Sequence, residues 1–269
     1  MGLSNPSLRP KVGIVGGTGR MGSWFGGLLD QFGFEVLRTG RKTRLSPEEM
    51  APNCDVVVIS VPISSTVEVI EKIGPLVMEN SLLMDLTSVK KTPMKAMLKY
   101  SSAQVVGAHP LFGPDMAEDH QARVVLCPGR GEQWLDWITG VFKKAGFRVT
   151  ILTPEKHDHI MGIVQGINHF STLVLALCIS RSGIELENLV QCSTQTFNQG
   201  LDRIRAIVAQ PEDLFSSLLM DNSDAGDFIE QYFESANKLI RIIRSKDRES
   251  FKVLFESLKG FFSKEVMKQ

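Results

Sequence analysis

Residues 12–22 read Val12-Gly13-Ile14-Val15-Gly16-Gly17-Thr18-Gly19-Arg20-Met21-Gly22, a short β-branched run stopped by a cluster of glycines. Beyond Gly22 the apolar residues take up helical spacing, so the stretch is expected to be strand, tight turn, helix. Gly17, Gly19 and Gly22 have the spacing G-x-G-x-x-G, with Gly16 as an extra glycine ahead of them. Glycines serve such a turn because the backbone must come close to a pyrophosphate and the helix must pack close on the strand. The helix N-terminus then offers N–H donors and a positive dipole end to the phosphates. Closing the first strand of an alternating segment is the context the motif needs. Gly16, Gly17, Thr18, Gly19, Arg20, Met21 and Gly22 are therefore expected to cradle a dinucleotide.

Outward from this turn, residues 11 to about 153 alternate short apolar runs with helical patterns. Strands are expected over Lys11–Val15, Glu35–Arg38, Val56–Val61, Ser81–Asp85, Gln104–Gly107, Val124–Cys127 and Val149–Leu152. Runs such as Val56-Val57-Val58-Ile59 suit strands covered on both faces, as in parallel sheets. The fold class is α/β, a Rossmann-type doubly wound sheet. After Thr153-Pro154 only helical patterns remain, with apolar residues at Ile160, Ile163, Ile167, Phe170, Val174 and Leu177. Two domains are expected: residues 1–153 binding the dinucleotide, and an all-helical 154–269.

Composition narrows the function. Thirty basic and thirty acidic side chains cancel over 269 residues, which argues against a nucleic acid or an anionic membrane as the main partner. Cys54, Cys127, Cys178 and Cys192 show no C-x-x-C spacing, so no zinc site is expected and the thiols read as free. The N-terminus lacks the apolar core of a signal peptide. The longest uninterrupted apolar run, Leu173 to Ile179, is too short to span a bilayer. A cytoplasmic protein without a metal is expected.

The end of the second strand bears on which dinucleotide binds. An NAD site places Asp or Glu there to accept hydrogen bonds from the ribose hydroxyls. Here Thr39-Gly40-Arg41-Lys42-Thr43-Arg44 follows instead. With no carboxylate to repel a 2′-phosphate, and cations and hydroxyls to bind one, Thr39, Gly40, Arg41 and Lys42 favour NADP over NAD. Three segments should meet at the carboxyl edge of the sheet: Ser60-Val61-Pro62, turning over the cofactor; Asp85 to Lys90, carrying Ser88; and His109-Pro110. An imidazole at a turn beside a nicotinamide has the chemistry of an acid–base catalyst, because its ordinary pKa lies near working pH.

Taken together, GGTGRMG, SVPI, DLTSVK, GAHPLFGPD and EKHDHIMGIVQGINHF resemble the TyrA-type prephenate/arogenate dehydrogenases. The similarity is greatest to the dehydrogenase half of the bifunctional chorismate mutase–prephenate dehydrogenases. About ten residues precede the first strand, so no mutase half is expected. The resemblance implies a homodimer formed through the C-terminal helical domain. It also implies oxidative decarboxylation of prephenate to 4-hydroxyphenylpyruvate, or of arogenate to tyrosine, in tyrosine biosynthesis. His109 is then the base and Ser88 its orienting partner. On one helix, Asp158, Gln165 and His169 lie seven and four apart; Gln165 and His169 are expected to line the substrate pocket. Where the family holds the ring carboxylate with an arginine this chain has Ala206, and Asn198 replaces a second arginine, leaving Arg203 and Arg205 as the candidates. Alternatives are a 4-amino-4-deoxyprephenate-type dehydrogenase, an F420-type NADP-linked reductase, and a non-catalytic NADP-binding sensor.

Overall fold

The computed structural model describes residues 9–113 and 122–266, without the side chains of 264–266. The first eight residues, and Pro114 and Asp115 at the end of GAHPLFGPD, lie outside the described residues.

Seven strands form one sheet: β1 (Val12–Val15), β2 (Val36–Thr39), β3 (Val56–Ile59), β4 (Leu82–Asp85), β5 (Gln104–Pro110), β6 (Arg123–Arg130) and β7 (Arg148–Ile151). Their spatial order is β2-β1-β3-β4-β5-β6-β7. The first five strands run parallel, and β6 is antiparallel to β5. Helices α1 (Arg20–Gln31), α2 (Pro47–Met50), α3 (Ile63–Ile73), α4 (Lys91–Tyr100) and α5 (Gln133–Lys144) make the connections. The strand order reverses between β1 and β3, and in open α/β sheets ligands lie outside the carboxyl ends at such a switch point.

Strand alternation sorts the core into two layers. Val12, Ile14, Val56, Val58, Leu82 and Met84 face Phe25, Leu29 and Phe142. Val15, Val57, Ile59 and Leu83 face Ile70, Ile73, Met94 and Met97. Both faces are dry, which is why these strands read as unbroken apolar runs.

After β7 the chain turns into α6 (Pro154–Met161), started by the Thr153 hydroxyl accepting from the Lys156 N–H. A π-helical segment, Gly162–Ile167, leads without a break into α7 (Asn168–Ser180). Then come α8 (Leu186–Gln191), α9 (Gln195–Val208), α10 (Glu212–Met220), α11 (Ser223–Ser245) and α12 (Arg248–Val266). Gly162 and Gly166 let α11 approach closely: a methyl at Gly162 would meet the Phe228 ring at 2.7 Å and one at Gly166 the Ala225 Cβ at 3.1 Å. The continuous helix Pro154–Ser180 is long and apolar enough to cross a membrane by length and composition. Its first turns are built into the body of the protein, where His157, Asp158 and Met161 are buried.

Two glycines of α1 test the close packing at the first turn. A methyl at Gly22 would sit 2.4 Å from the Gly16 carbonyl oxygen, a backbone atom that cannot step aside, whereas Gly27 has nothing within 4 Å. Gly22→Ala should destabilise by about 1–3 kcal/mol through overpacking. Gly27→Ala should be neutral or stabilise by about 0.5–1 kcal/mol through helix propensity. Urea unfolding of the two variants checks this, and equal effects would refute the packing assigned to Gly22.

Candidate active site

The glycine turn is held by the backbone of its neighbours. Gly16 has φ +80°, and a side chain there would meet the Ser60 carbonyl oxygen at 2.2 Å. Gly16 and Gly17 both donate their N–H groups to the Thr39 carbonyl at 2.9 Å, and Ser60 donates to the Val15 carbonyl at 2.8 Å. The ends of β1, β2 and β3 are thereby locked into one edge. Helix α1 starts from Gly19 with no side-chain cap and no acidic residue in its first turn, so its N–H groups fit an anion. Thr18 and Arg20 are exposed at the turn and Met21 is half-buried.

Beyond β2 the structure divides the basic loop. The Thr39 side chain is fully buried, its hydroxyl turned inward to the Ile14 carbonyl, so at this edge Thr39 acts through its backbone. Gly40 passes so close to Thr18 that a methyl would lie 2.2 Å from its hydroxyl oxygen. Thr43 is tied to the Gly40 N–H and to the Gly40 and Leu45 carbonyls. Arg41 and Lys42 are exposed, and neither makes an ion pair among the described residues.

A cleft of about 290 Å³ opens at the switch point, lined by Met21, Ser60 to Ser64, Leu86 to Ser88, and Pro211, Asp213, Leu214 and Ser217. Thus α10 of the helical half roofs an edge made by the sheet. The Ser60, Val61, Pro62 and Ser88 expected at this edge are brought together there.

His109 is not at a turn. Strand β5 runs on through Pro110, and His109 pairs with Val125 of β6. Its ring is 2 % exposed. Among the described residues no hydrogen bond joins it to Ser88. Its orienting partner is His157 of α6, whose Nε2 lies 2.8 Å from His109 Nδ1. His157 Nδ1 in turn lies 2.7 Å from Asp158 Oδ1. That carboxylate also accepts the Lys90 N–H at 2.8 Å and the Lys91 N–H at 2.9 Å, where α4 begins. Buried Lys90 donates to Asp85 and, at 2.9 Å, to the Ala108 carbonyl beside His109. Burial first, then His157 and Lys90, push the His109 pKa well below 6.5.

The expected substrate-side residues are not gathered at the cleft. The π segment widens the helical turn between Asp158 and His169 and re-aims the side chains beyond it. Gln165 is half-buried within that segment, while His169 packs edge-on against Phe215 of α10 at 5.1 Å between centroids. Burial lowers the His169 pKa, and its Nδ1 is buried without a partner among the described residues. Arg203 is exposed on α9. Arg205 pairs with Asp202 at 3.0 Å and lines a separate hollow of about 450 Å³ with Ala176, Ile184, Glu185 and Leu201. The side of α9 that packs inward is apolar, at Leu201 and Ile204, and neither arginine lines the cleft that holds Ser88.

Comparison with known proteins agrees with both halves. A family model described as prephenate dehydrogenase, nucleotide-binding domain, matches residues 38–159, and one described as prephenate dehydrogenase, dimerization domain, matches residues 153–258. The T-protein of Haemophilus influenzae is 33% identical over 252 residues, 94% of this chain and 67% of that one. A probable arogenate/prephenate dehydrogenase of Methanocaldococcus jannaschii is 32% identical over 272 residues, 94% of this chain and 61% of that one. The chain thus spans about two thirds or less of the length of these relatives. Among solved structures, arogenate dehydrogenase of Synechocystis superposes with a TM-score of 0.73 at 19% identity, covering 95% of this chain and 99% of that one. Prephenate dehydrogenase of A. aeolicus, in complex with hydroxyphenyl propionate and NAD+, does so at 0.73 and 21% identity, covering 98% and 100%.

The depressed basicity of His109 has a direct readout. Above pH 6.5 the ring is neutral in folded and unfolded chains alike. Below 6.5 the unfolded chain takes up the proton and the folded one does not, so stability falls as the pH drops toward the lower folded value. In ¹⁵N NMR the His109 ring should stay neutral through pH 6.5. His109→Asn should lessen the loss of stability below that pH, and a ring titrating at its ordinary value would contradict the burial described.

Proposed function

The chain belongs to the prephenate dehydrogenase family, and we propose that it oxidatively decarboxylates prephenate or its amino analogue arogenate with NADP. The observation that carries the reaction is His109: a buried, neutral imidazole at the carboxyl edge of the sheet, the same edge at which β1 ends in a glycine turn shaped for a dinucleotide. A dinucleotide held by Gly16 to Gly22 would supply the hydride acceptor for the ring carbon that bears the hydroxyl. His109 accepts the hydroxyl proton as that carbon becomes a carbonyl. The ketone formed is conjugated through the ring to the carbon carrying the carboxylate. Carbon dioxide leaves, the electrons of the broken bond enter the ring, and the ring becomes aromatic. His109 then returns its proton to the phenolic oxygen, so the proton count closes. Ser60, Val61, Pro62 and Ser88, as walls of the cleft, position the reacting ring, and α10 keeps water from it.

The preference for NADP is supported by Arg41 and Lys42, exposed at the end of β2 and without an ion pair among the described residues, with no carboxylate in that loop. A homodimer through the helical half is supported by apolar side chains exposed along α11 and α12, among them Phe233, Ile243, Phe251, Phe255 and Phe261. Four unpaired thiols support a cytoplasmic location.

Absorbance at 340 nm tests the reading, with prephenate and arogenate each offered with NADP and with NAD. No turnover with either substrate would refute it. His109→Asn should lower kcat by about 10²–10⁴, as for loss of a positioned acid–base group, and leave dinucleotide binding nearly intact. Replacing Arg41 and Lys42 together by Gln should raise KM for NADP far more than for NAD, and equal changes would remove the ground for NADP.

A further inference from the structure

His109 does not stand alone, and what holds it crosses between the two halves of the molecule. Asp158, 2 % exposed, lies within reach of three donors: the backbone N–H groups of Lys90 and Lys91 and the ring of His157. With its oxygens accepting, the proton on the shared bond belongs to His157 Nδ1. A neutral imidazole carries one N–H, so His157 Nε2 is left with a lone pair. The 2.8 Å contact between His157 Nε2 and His109 Nδ1 then requires the proton to sit on His109 Nδ1. His109 Nε2 is the remaining lone pair, and it has no hydrogen-bond partner among the described residues.

We propose that His157 and Asp158 are positioning residues for the proton transfer, fixing His109 in the tautomer whose Nε2 accepts the substrate's hydroxyl proton. The inference rests on the reaction proposed above and deepens it, because it assigns the receiving atom and what sets it. The same carboxylate serves a second end. By binding the N–H groups of Lys90 and Lys91 it anchors the segment that carries Ser88, a wall of the cleft. One group on the helical half thus sets both the direction of the base and the place of the wall opposite. Asp158 is itself held, since Asn222, which caps α11, donates to its backbone carbonyl at 2.9 Å. Close by, Lys91 of α4 pairs with Asp224 of α11.

Among the described residues, the charged and titratable groups that face His109 are His157 and Asp158 from α6, and Lys90 with Asp85 from the end of β4 and the start of α4. Strand β6 presents Val125 directly opposite and Cys127 two residues on. Of these, His157 is the one that both touches the ring and can be exchanged without leaving Lys90 or Asp85 unpaired.

Asp158→Asn is the first test. Whichever way it turns, the amide loses one backbone N–H of α4, Lys90 at the Oδ1 position or Lys91 at Oδ2; with its nitrogen at the Oδ1 position it donates to His157 Nδ1 and the chain of hydrogen bonds reverses, putting the proton on His109 Nε2. In serine-protease triads the corresponding exchange keeps the geometry and costs about 10⁴ in kcat. Here kcat should fall by about 10²–10⁴ with little change in KM for the dinucleotide. The ¹⁵N shifts of the His109 ring, read in the resting protein, should move from Nδ1-protonated to Nε2-protonated. His157→Phe is the second variant, since it fills the buried space and spares the caps on α4. It should lower kcat with little change in KM for the dinucleotide. His157→Gln, whose carbonyl can accept from His109 Nδ1–H, should recover part of kcat. If the wild type turns over neither substrate, the proposed reaction fails, and the NMR measurement still stands on its own. If the wild type is active but His157→Phe keeps kcat within about threefold, the positioning role is overturned. It is equally overturned if the resting wild-type His109 carries its proton on Nε2.

Discussion

A carboxylate taken out of water must be met by donors, and Asp158 is met by the first two N–H groups of α4 and by the ring of His157. Leaving such a group unmatched costs several kcal/mol, so the three donors and the acceptor hold one another in place. The consequence is architectural. Helix α6 is the first element after the sheet, α4 follows the strand that ends at Asp85, and His109 lies on the next strand. Satisfying one acidic side chain therefore sets the angle at which the helical half meets the sheet. The cleft is a product of that angle, because its roof is α10 and its floor is the carboxyl edge.

The floor follows from sheet topology. The reversal of strand order at β1 and β3 opens a crevice there, and the glycine turn fills it only because Gly16, Gly22 and Gly40 have no side chain to obstruct Ser60, the Gly16–Gly17 backbone and Thr18 respectively. At Gly16 and Gly22 the approach is to backbone, so conservative substitution cannot imitate it. The core beneath is tolerant by comparison, since aliphatic residues of similar volume can exchange within both layers.

Much of this is legible in the residues. Short runs of apolar or β-branched residues mark all seven strands, and the spacing of Gly17, Gly19 and Gly22 marks the turn. Four features are not legible, each for a physical reason. The antiparallel direction of β6 leaves no trace in Val124-Val125-Leu126-Cys127, because burial on both faces looks the same whichever way the strand runs. Pro110 makes His109 look like a turn residue, but a proline can close a strand when its neighbour needs no N–H there. His157 escapes sequence reading because a histidine inside EKHDH carries no periodic signal; its role arises from a contact with a residue 48 positions earlier. The π segment has the same character. Nothing in GIVQGI announces a wider turn, yet it changes which way Gln165 and His169 point, and the inward face of α9 leaves Arg203 and Arg205 elsewhere.

Burying His109 weakens it as a base, which at first sight works against its task. The reaction proposed for it removes that objection. As hydride leaves the ring carbon, the hydroxyl oxygen becomes a protonated carbonyl in all but name, and its proton is far more acidic than that of any alcohol. A base of low pKa is strong enough for such a proton, provided that it is neutral and its lone pair faces the hydroxyl. Burial secures the first condition across the working pH range, and the chain through His157 to Asp158 secures the second. The same low pKa helps the return step. A phenol holds its proton with a pKa near 10, about that of tyrosine, so the imidazolium formed in between gives its proton up readily. What burial removes from basicity it adds to acidity, and the two transfers ask for opposite strengths.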